Sequence, residues 1–258
     1  MSDYPIPNVS TDLSGKVALI TGCTSGLGKR FAQVIAACGA KVAVTGRRVD
    51  RLTELAEEIR AAGGVAEPIA LDMRDNDSIL SCVEQAEAAL GTINILVNNA
   101  GIPDAQRAHK MPLQLIDDVF DTNLRGPYVL SCEIARRLIA ADEPGRMINI
   151  SSVGGFNYSG NGAALYSITK SGIIRMTECL AVEWARYNIN VNAIAPGAFS
   201  SEMMDGMLER MGDIAQHFPR KRICDPAQMD STLLYFLSPA SDAVTGTYIK
   251  IDDGQGSR

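Results

Sequence analysis

The stretch KVALITGCTSGLG (residues 16–28) decides the fold. It opens as a strand candidate, KVALIT (16–21), with four consecutive apolar residues. A helical pattern follows from about Leu27 to Cys38. Between them lies TGCTSGLG (21–28), with glycines at Gly22, Gly26 and Gly28 in the spacing G-x-x-x-G-x-G. Glycines permit a tight turn and close backbone approach, and a helix N-terminus faces an anion such as phosphate. An ordinary glycine-rich turn reads the same way, so the context of the loop has to decide.

That context is an alternation of short apolar runs with helical patterns. KVAVTG (41–46), AEPIAL (66–71), INILVN (93–98), RMINIS (146–151), INVNAIA (189–195) and TYIKID (247–252) are the further strand candidates. Helical patterns occupy about 50–62, 76–90, 112–140, 164–187 and 227–237, with one more in the segment after 195. Strands apolar on both faces and joined by helices describe a parallel sheet between two helical layers. Right-handed crossovers then wind it both ways. The expected fold is α/β: a single-domain, doubly wound parallel sheet. Residues 1–15 read as an N-terminal arm and 16–258 as the domain.

Composition narrows the function. The chain of 258 residues is 46% hydrophobic and 21% charged, with formal net charge −6 and a pI near 5.0. Scattered basic residues and an acidic balance argue against a nucleic-acid partner. No apolar run reaches the roughly 18 residues needed to span a membrane, and the polar N-terminus is unlike a secretory signal. Six separated cysteines without a C-x-x-C read as reduced, mostly core residues of a cytoplasmic protein. Two histidines, His109 and His217, give no zinc spacing, and no metal site is expected.

Two further motifs carry chemistry. The second strand ends in TGRR, which puts Arg47 and Arg48 where an NAD-preferring site tends to carry an acid. Arginine suits a 2′-phosphate; a solvated loop paired to Asp50 or Glu54 is the plainer alternative. YSITK (166–170) sets Tyr166 and Lys170 four apart, neighbours on a helix. The cation is expected to lower the pKa of the phenol, giving a tunable proton donor and acceptor.

Together these motifs resemble the short-chain dehydrogenase/reductase family along nearly the whole chain, the 3-oxoacyl reductases included. TGCTSGLG (21–28), LD (71–72), NNAG (98–101), TN (122–123), ISS (150–152), YSITK (166–170) and APG (195–197) stand in the family order. The resemblance implies a seven-stranded Rossmann-type sheet, NAD(P)-dependent carbonyl–alcohol chemistry and a homotetramer or homodimer; Arg47 and Arg48 make NADP(H) the expected cofactor, with NAD the lesser alternative. The resemblance implies that Tyr166 is the proton donor or base and Lys170 its electrostatic partner, also holding the nicotinamide ribose. Ser152 would hydrogen-bond the substrate oxygen, and Asn123 would order a water linking Lys170 to solvent. Gly22, Thr24, Ser25, Gly26, Leu27 and Gly28 would hold the pyrophosphate end. Asp72 and Met73 would lie by the adenine, and Asn99, Ala100 and Gly101 by the ribose unless they form only a structural turn. Pro196, Gly197 and Phe199 would flank the nicotinamide. Ser201 stands where the family usually has threonine, and IDDGQG (251–256) resembles the usual VDGG ending with a residue added.

Three segments are candidates for recognising a small carbonyl or alcohol substrate: 102–111, 153–163 and 200–218. In the last, Met203, Met204, Met207, Leu208 and Met211 share a helical face, fit for an adaptable apolar lid or for packing. A ketone, a steroid-like ring or a 3-oxoacyl compound is the expected substrate. The rival functions are a non-catalytic NADP-binding regulator and an epimerase or dehydratase on the same fold.

Overall fold

A computed structural model describes residues 4–158, 160 and 162–256. Seven strands form one parallel sheet: β1 (Val17–Thr21), β2 (Lys41–Gly46), β3 (Val65–Ala70), β4 (Ile95–Asn98), β5 (Gly145–Ile150), β6 (Ile189–Pro196) and β7 (Tyr248–Ile251). Their spatial order is β3-β2-β1-β4-β5-β6-β7. Every residue of β1, β4 and β6 is buried, as a central parallel strand requires. All seven expected strands are present.

The helices are α1 (Gly26–Ala37), α2 (Val49–Ala61), α3 (Asn76–Leu90), α4 (Leu113–Phe120), α5 (Gly126–Ala141), α6 (Ala164–Trp184), α7 (Glu202–Met211) and α8 (Asp230–Leu237). They cover both faces. Phe31, Ile35, Leu52, Leu55, Leu233 and Phe236 close one core over the sheet. Ile79, Val83, Leu130, Ile134, Ile173 and Leu180 close the other. Each such side chain contributes roughly 1.5–3 kcal/mol by leaving water. One polar chain crosses the second core: Asn98 Nδ2 donates to Ser131 Oγ and to Asn149 Oδ1, and Asn149 Nδ2 donates to Thr177 Oγ1, each at 2.9 Å.

Three expectations need adjustment. The long helical pattern over 112–140 is helical without a break, but a π-helical turn, Asp121–Arg125, joins α4 to α5. Cys23, Cys82 and Cys224 are buried, but Cys179 is exposed. The chain's last described turn is closed by Asp252, whose carboxylate accepts the amides of Gly254 and Gly256 at 3.1 and 2.9 Å. That turn accommodates the added residue. Ser159 and Asn161, within the 153–163 segment, lie outside the described residues, as do 1–3 and 257–258.

Candidate active site

The strand order reverses direction between β1 and β4, and ligands bind such sheets at that point, outside the carboxyl ends of the strands. The glycine-rich loop follows β1 and the NNAG turn follows β4, so the two meet there. Thr21 Oγ1 accepts the amides of Asn99 and Ala100, both at 2.9 Å. Asn99 Nδ2 donates back to the carbonyls of Thr21 and Gly22 at 2.9 and 3.2 Å. Asn99 therefore holds the loop in shape. Gly22 has φ 73°, open to glycine, and a Cβ on Gly28 would overlap the Gly22 carbonyl and the Asn99 amide.

This cradle fits a dinucleotide. A helix leaves its first amides without partners inside it, and they favour an anion. The carboxylate of Glu202, at the start of α7, comes up to this end of the crevice. It is hydrogen-bonded by Ser25 at the cap of α1 and by Arg48 and Arg51. Hydrogen bonds from Arg48 first, then from Arg51 and Ser25, hold the Glu202 carboxyl down at about 2. Arg48 also donates from Nε to Thr24 Oγ1 at 3.1 Å. Its partners are thus Glu202 and Thr24, not Asp50 or Glu54. Arg47 is exposed, and its charge reaches Asp72. Asp72 is itself gripped by Arg74, with Nη2–Oδ2 at 2.7 Å.

At the far edge of the crevice stand the residues expected to transfer the proton. Ser152 follows β5, and its Oγ accepts the Gly154 amide at 3.0 Å. The Ser152 hydroxyl lies near enough to the Tyr166 phenol to favour its ionised form. Lys170 is one turn further along α6 and only 4% exposed. Its Nζ donates to the Ile150 carbonyl at 2.8 Å and lies 5.6 Å from the centre of the Tyr166 ring. Asn123, in the π-helical turn and 1% exposed, faces Lys170 across Gly101. Its Oδ1 accepts the Ile102 amide at 2.8 Å, and its Nδ2 donates to the Ile102 carbonyl at 2.9 Å and to Thr169 Oγ1 at 3.3 Å.

The electrostatics differ from expectation in one respect. The Tyr166 phenol is pushed up, not down: burial raises its pKa, the Ser152 hydrogen bond lowers it and the charge of Asp104 raises it. Burial brings Lys170 down to about 8, so it remains largely charged at neutral pH. The i, i+4 spacing located the pair but said nothing of how dry its surroundings are.

Some of the residues expected beside the cofactor turn their side chains elsewhere. The side chains of Met73 and Phe199 are buried in the two cores. Gly197 packs against Asp252, leaving no room for a Cβ, and its amide donates to the Ile251 carbonyl at 2.8 Å. Ser201 Oγ caps α7 by accepting the Met204 amide at 3.2 Å. Helix α7 buries no residue, so its methionine face rides at the surface of the domain. Sequence reasoning missed Asp104 and Glu202. Both are lone acids in segments whose packing only three dimensions reveal.

Residues 16–211 match the family model described as short chain dehydrogenase. The chain belongs to that family. It is 34% identical over 245 residues to 2-dehydro-3-deoxy-D-gluconate 5-dehydrogenase of Escherichia coli (strain K12), covering 94% of this chain and 96% of the relative. Among solved structures it resembles a single-residue variant of actinorhodin polyketide ketoreductase with NADPH, at TM-score 0.90 and 30% identity over 94% of this chain and 98% of the other. It also resembles 3-ketoacyl-(acyl-carrier-protein) reductase from Brucella melitensis complexed with NADH, at TM-score 0.87 and 29% identity over 95% and 100%. As a short-chain dehydrogenase/reductase, the protein is an NAD(P)-dependent oxidoreductase acting on carbonyl and alcohol groups. Among the described residues, no helix is long and apolar enough to cross a membrane.

Proposed function

We propose that this enzyme is an NADP(H)-dependent reductase of a ketone, steroid-like or 3-oxoacyl substrate, with Tyr166 as its proton donor. The observation that carries the reading is the Ser152–Tyr166 hydroxyl pair beside buried Lys170. Ser152 and Tyr166 both aim hydrogen bonds at one carbonyl oxygen, polarising it as charge develops there. Tyr166 gives that oxygen its proton; in oxidation it takes the proton back. The phenol holds its proton at neutral pH, as a donor must, and positive charge from Lys170 favours its release. Lys170 supplies positive charge close to the phenolate that forms and binds the nicotinamide ribose. Asn123 keeps the turn after β4 and the Lys170 side chain in register, and orders a water between Lys170 and solvent.

The cofactor, when bound, supplies or takes the hydride. Gly22, Gly26 and Gly28 with the α1 amides hold its pyrophosphate, and Thr24, Ser25 and Leu27 complete that turn. Arg47 and Arg48 favour a 2′-phosphate, and NADP(H) is preferred over NAD(H). Asp72, with the Met73 backbone, borders the adenine; Asn99, Ala100 and Gly101 border the ribose; Pro196, Gly197, Phe199 and Ser201 border the nicotinamide. Residues 200–218 form the lid over that end, and residues 1–15 the arm ahead of the domain. The protein works in the cytoplasm as a homotetramer or homodimer. Leu113 and Phe120 on α4, Tyr128 on α5 and Ile168 and Val182 on α6 are exposed apolar groups that a second copy would cover. Light scattering should give a multiple of 27.6 kDa.

Initial rates test the reading, with NADPH and NADH against simple ketones, ketosteroids, 3-oxoacyl thioesters and 2-dehydro-3-deoxy-D-gluconate. NADPH-dependent reduction of at least one is expected, and Tyr166→Phe should lower its kcat by about 10²-fold or more. NADPH binding without turnover of any substrate would favour the regulator instead. Normal turnover by Tyr166→Phe would remove Tyr166 from the chemistry.

A further inference from the structure

The segment after β4 carries a buried carboxylate, Asp104, which is 3% exposed. Its Oδ2 accepts two backbone amides from the first turn of α6, Leu165 at 2.8 Å and Tyr166 at 3.1 Å. Its Oδ1 accepts the amide of Ala105 at 2.8 Å, and Ala105 stands at a left-handed φ of 45°. Helix α6 has no cap of its own, because its N-cap residue, Ala163, makes no side-chain bond. The first amides of a helix need partners from outside it and favour an anion. Asp104 provides both from a distant part of the chain. One of the amides that it holds belongs to Tyr166 itself.

The carboxylate also acts through space. Among the described residues, the charged groups set against the Tyr166 phenol are Lys170, from the next turn of α6, and Asp104. The segment after β5 brings the Ser152 hydroxyl and, beside the ring, Gly154. A negative charge disfavours a phenolate, and Asp104 adds to burial in pushing the Tyr166 pKa up.

We propose that Asp104 is a positioning residue of the active site, holding the Tyr166 backbone against Ser152 and setting a negative charge that favours the proton-donating phenol. The proposal rests on the reading of Tyr166 as proton donor. It deepens that reading by linking the substrate-side segment 102–111 directly to the catalytic helix.

The test is an ultraviolet titration of tyrosinate, in which Tyr166 is isolated by subtracting the matching Tyr166→Phe protein. It is run on the wild type, Asp104→Asn, Asp104→Ser and Asp104→Glu. Asn and Ser keep an acceptor for the α6 amides and lose the charge. Tyr166 should ionise at lower pH in both, and Asp104→Glu should return it toward the wild-type value. A folded Asn or Ser variant whose Tyr166 titrates at or above the wild-type pH would overturn the proposal. Failure of both neutral variants to fold would overturn it too, since the residue would then be a general structural support. The proton-donor reading stands or falls separately, on the turnover of Tyr166→Phe.

Discussion

Glu202 at the start of α7 and Arg48 just after β2 hold each other at 2.9 Å beside the glycine-rich loop. The same carboxylate takes Arg51. A 2′-phosphate seeking Arg48 must therefore compete with Glu202. Both side chains of the pair are nearly half exposed, at 43% and 49%, so the competition is screened and weak. Exposed ion pairs contribute about 0.2–1 kcal/mol, which is roughly 1.5- to 5-fold in affinity. Glu202→Gln should tighten NADPH by that factor and NADH by less, as read by cofactor fluorescence titration. Unchanged NADPH affinity would show that the pair does not oppose the phosphate.

Arg47 gives a second handle on cofactor choice. A charge-assisted hydrogen bond contributes roughly 1.5–3 kcal/mol, so Arg47→Ala should weaken NADPH by about 10- to 100-fold and leave NADH little changed. Gly46→Asp should move preference further toward NADH. A Cβ there would sit 3.3 Å from the Thr24 methyl, which must shift slightly to receive it, and 3.8 Å from Leu52. Dissociation constants for both cofactors decide. Equal losses for NADPH and NADH in Arg47→Ala would assign Arg47 a purely structural part.

Asn123 joins stability to the site. In Asn123→Ala the amide and the carbonyl of Ile102 both lose their side-chain partner. An unpaired buried polar group costs about 1–3 kcal/mol, and the Ile102 groups are part-buried, so for the two of them urea denaturation should show a loss of at most about 2–6 kcal/mol. Activity should fall with it, because the turn after β4 would no longer be tied to Thr169 on α6. A variant as stable as wild type would show that water replaces the amide freely.

The sheet was legible because most strands are short apolar runs bounded by glycine or by helical periodicity, and burial on both faces of the central ones leaves little choice of residue. That Ser152, Tyr166 and Lys170 gather at one place was legible mainly through the family resemblance, since a strand end and a shared helix face are weak signals alone. The π-helical turn at Asn123 was not, and the partner of the Asn123 side chain, Ile102, lies 21 residues away. Nor were Asp104 and Glu202, which act on groups 62 and 154 residues distant. The direction of the Tyr166 shift departs from expectation for a related reason. Charge spacing reads from sequence, but desolvation comes from what packs around the group.

Lys170 offers a test of that desolvation that needs no substrate. Its ordinary value is 10.5, and burial brings it to about 8 in the folded protein. Below pH 8 the lysine is charged in both the folded and unfolded chains, and the folded chain bears the full cost of the buried charge. At 1.36 kcal/mol per pH unit, the gap between the two values sets that cost at about 3 kcal/mol. As pH climbs from 8 to 10.5 the folded state loses its proton first, and the cost fades. Lys170→Met removes the charge at every pH. It also strips the Ile150 carbonyl of its Nζ donor, a loss that does not vary with pH. The stability of Lys170→Met relative to wild type should therefore be greatest below pH 8 and decline by about 3 kcal/mol by pH 10.5, while the variant loses activity throughout. Chemical denaturation across that range measures the difference, and a constant offset would mean that Lys170 is not a desolvated cation.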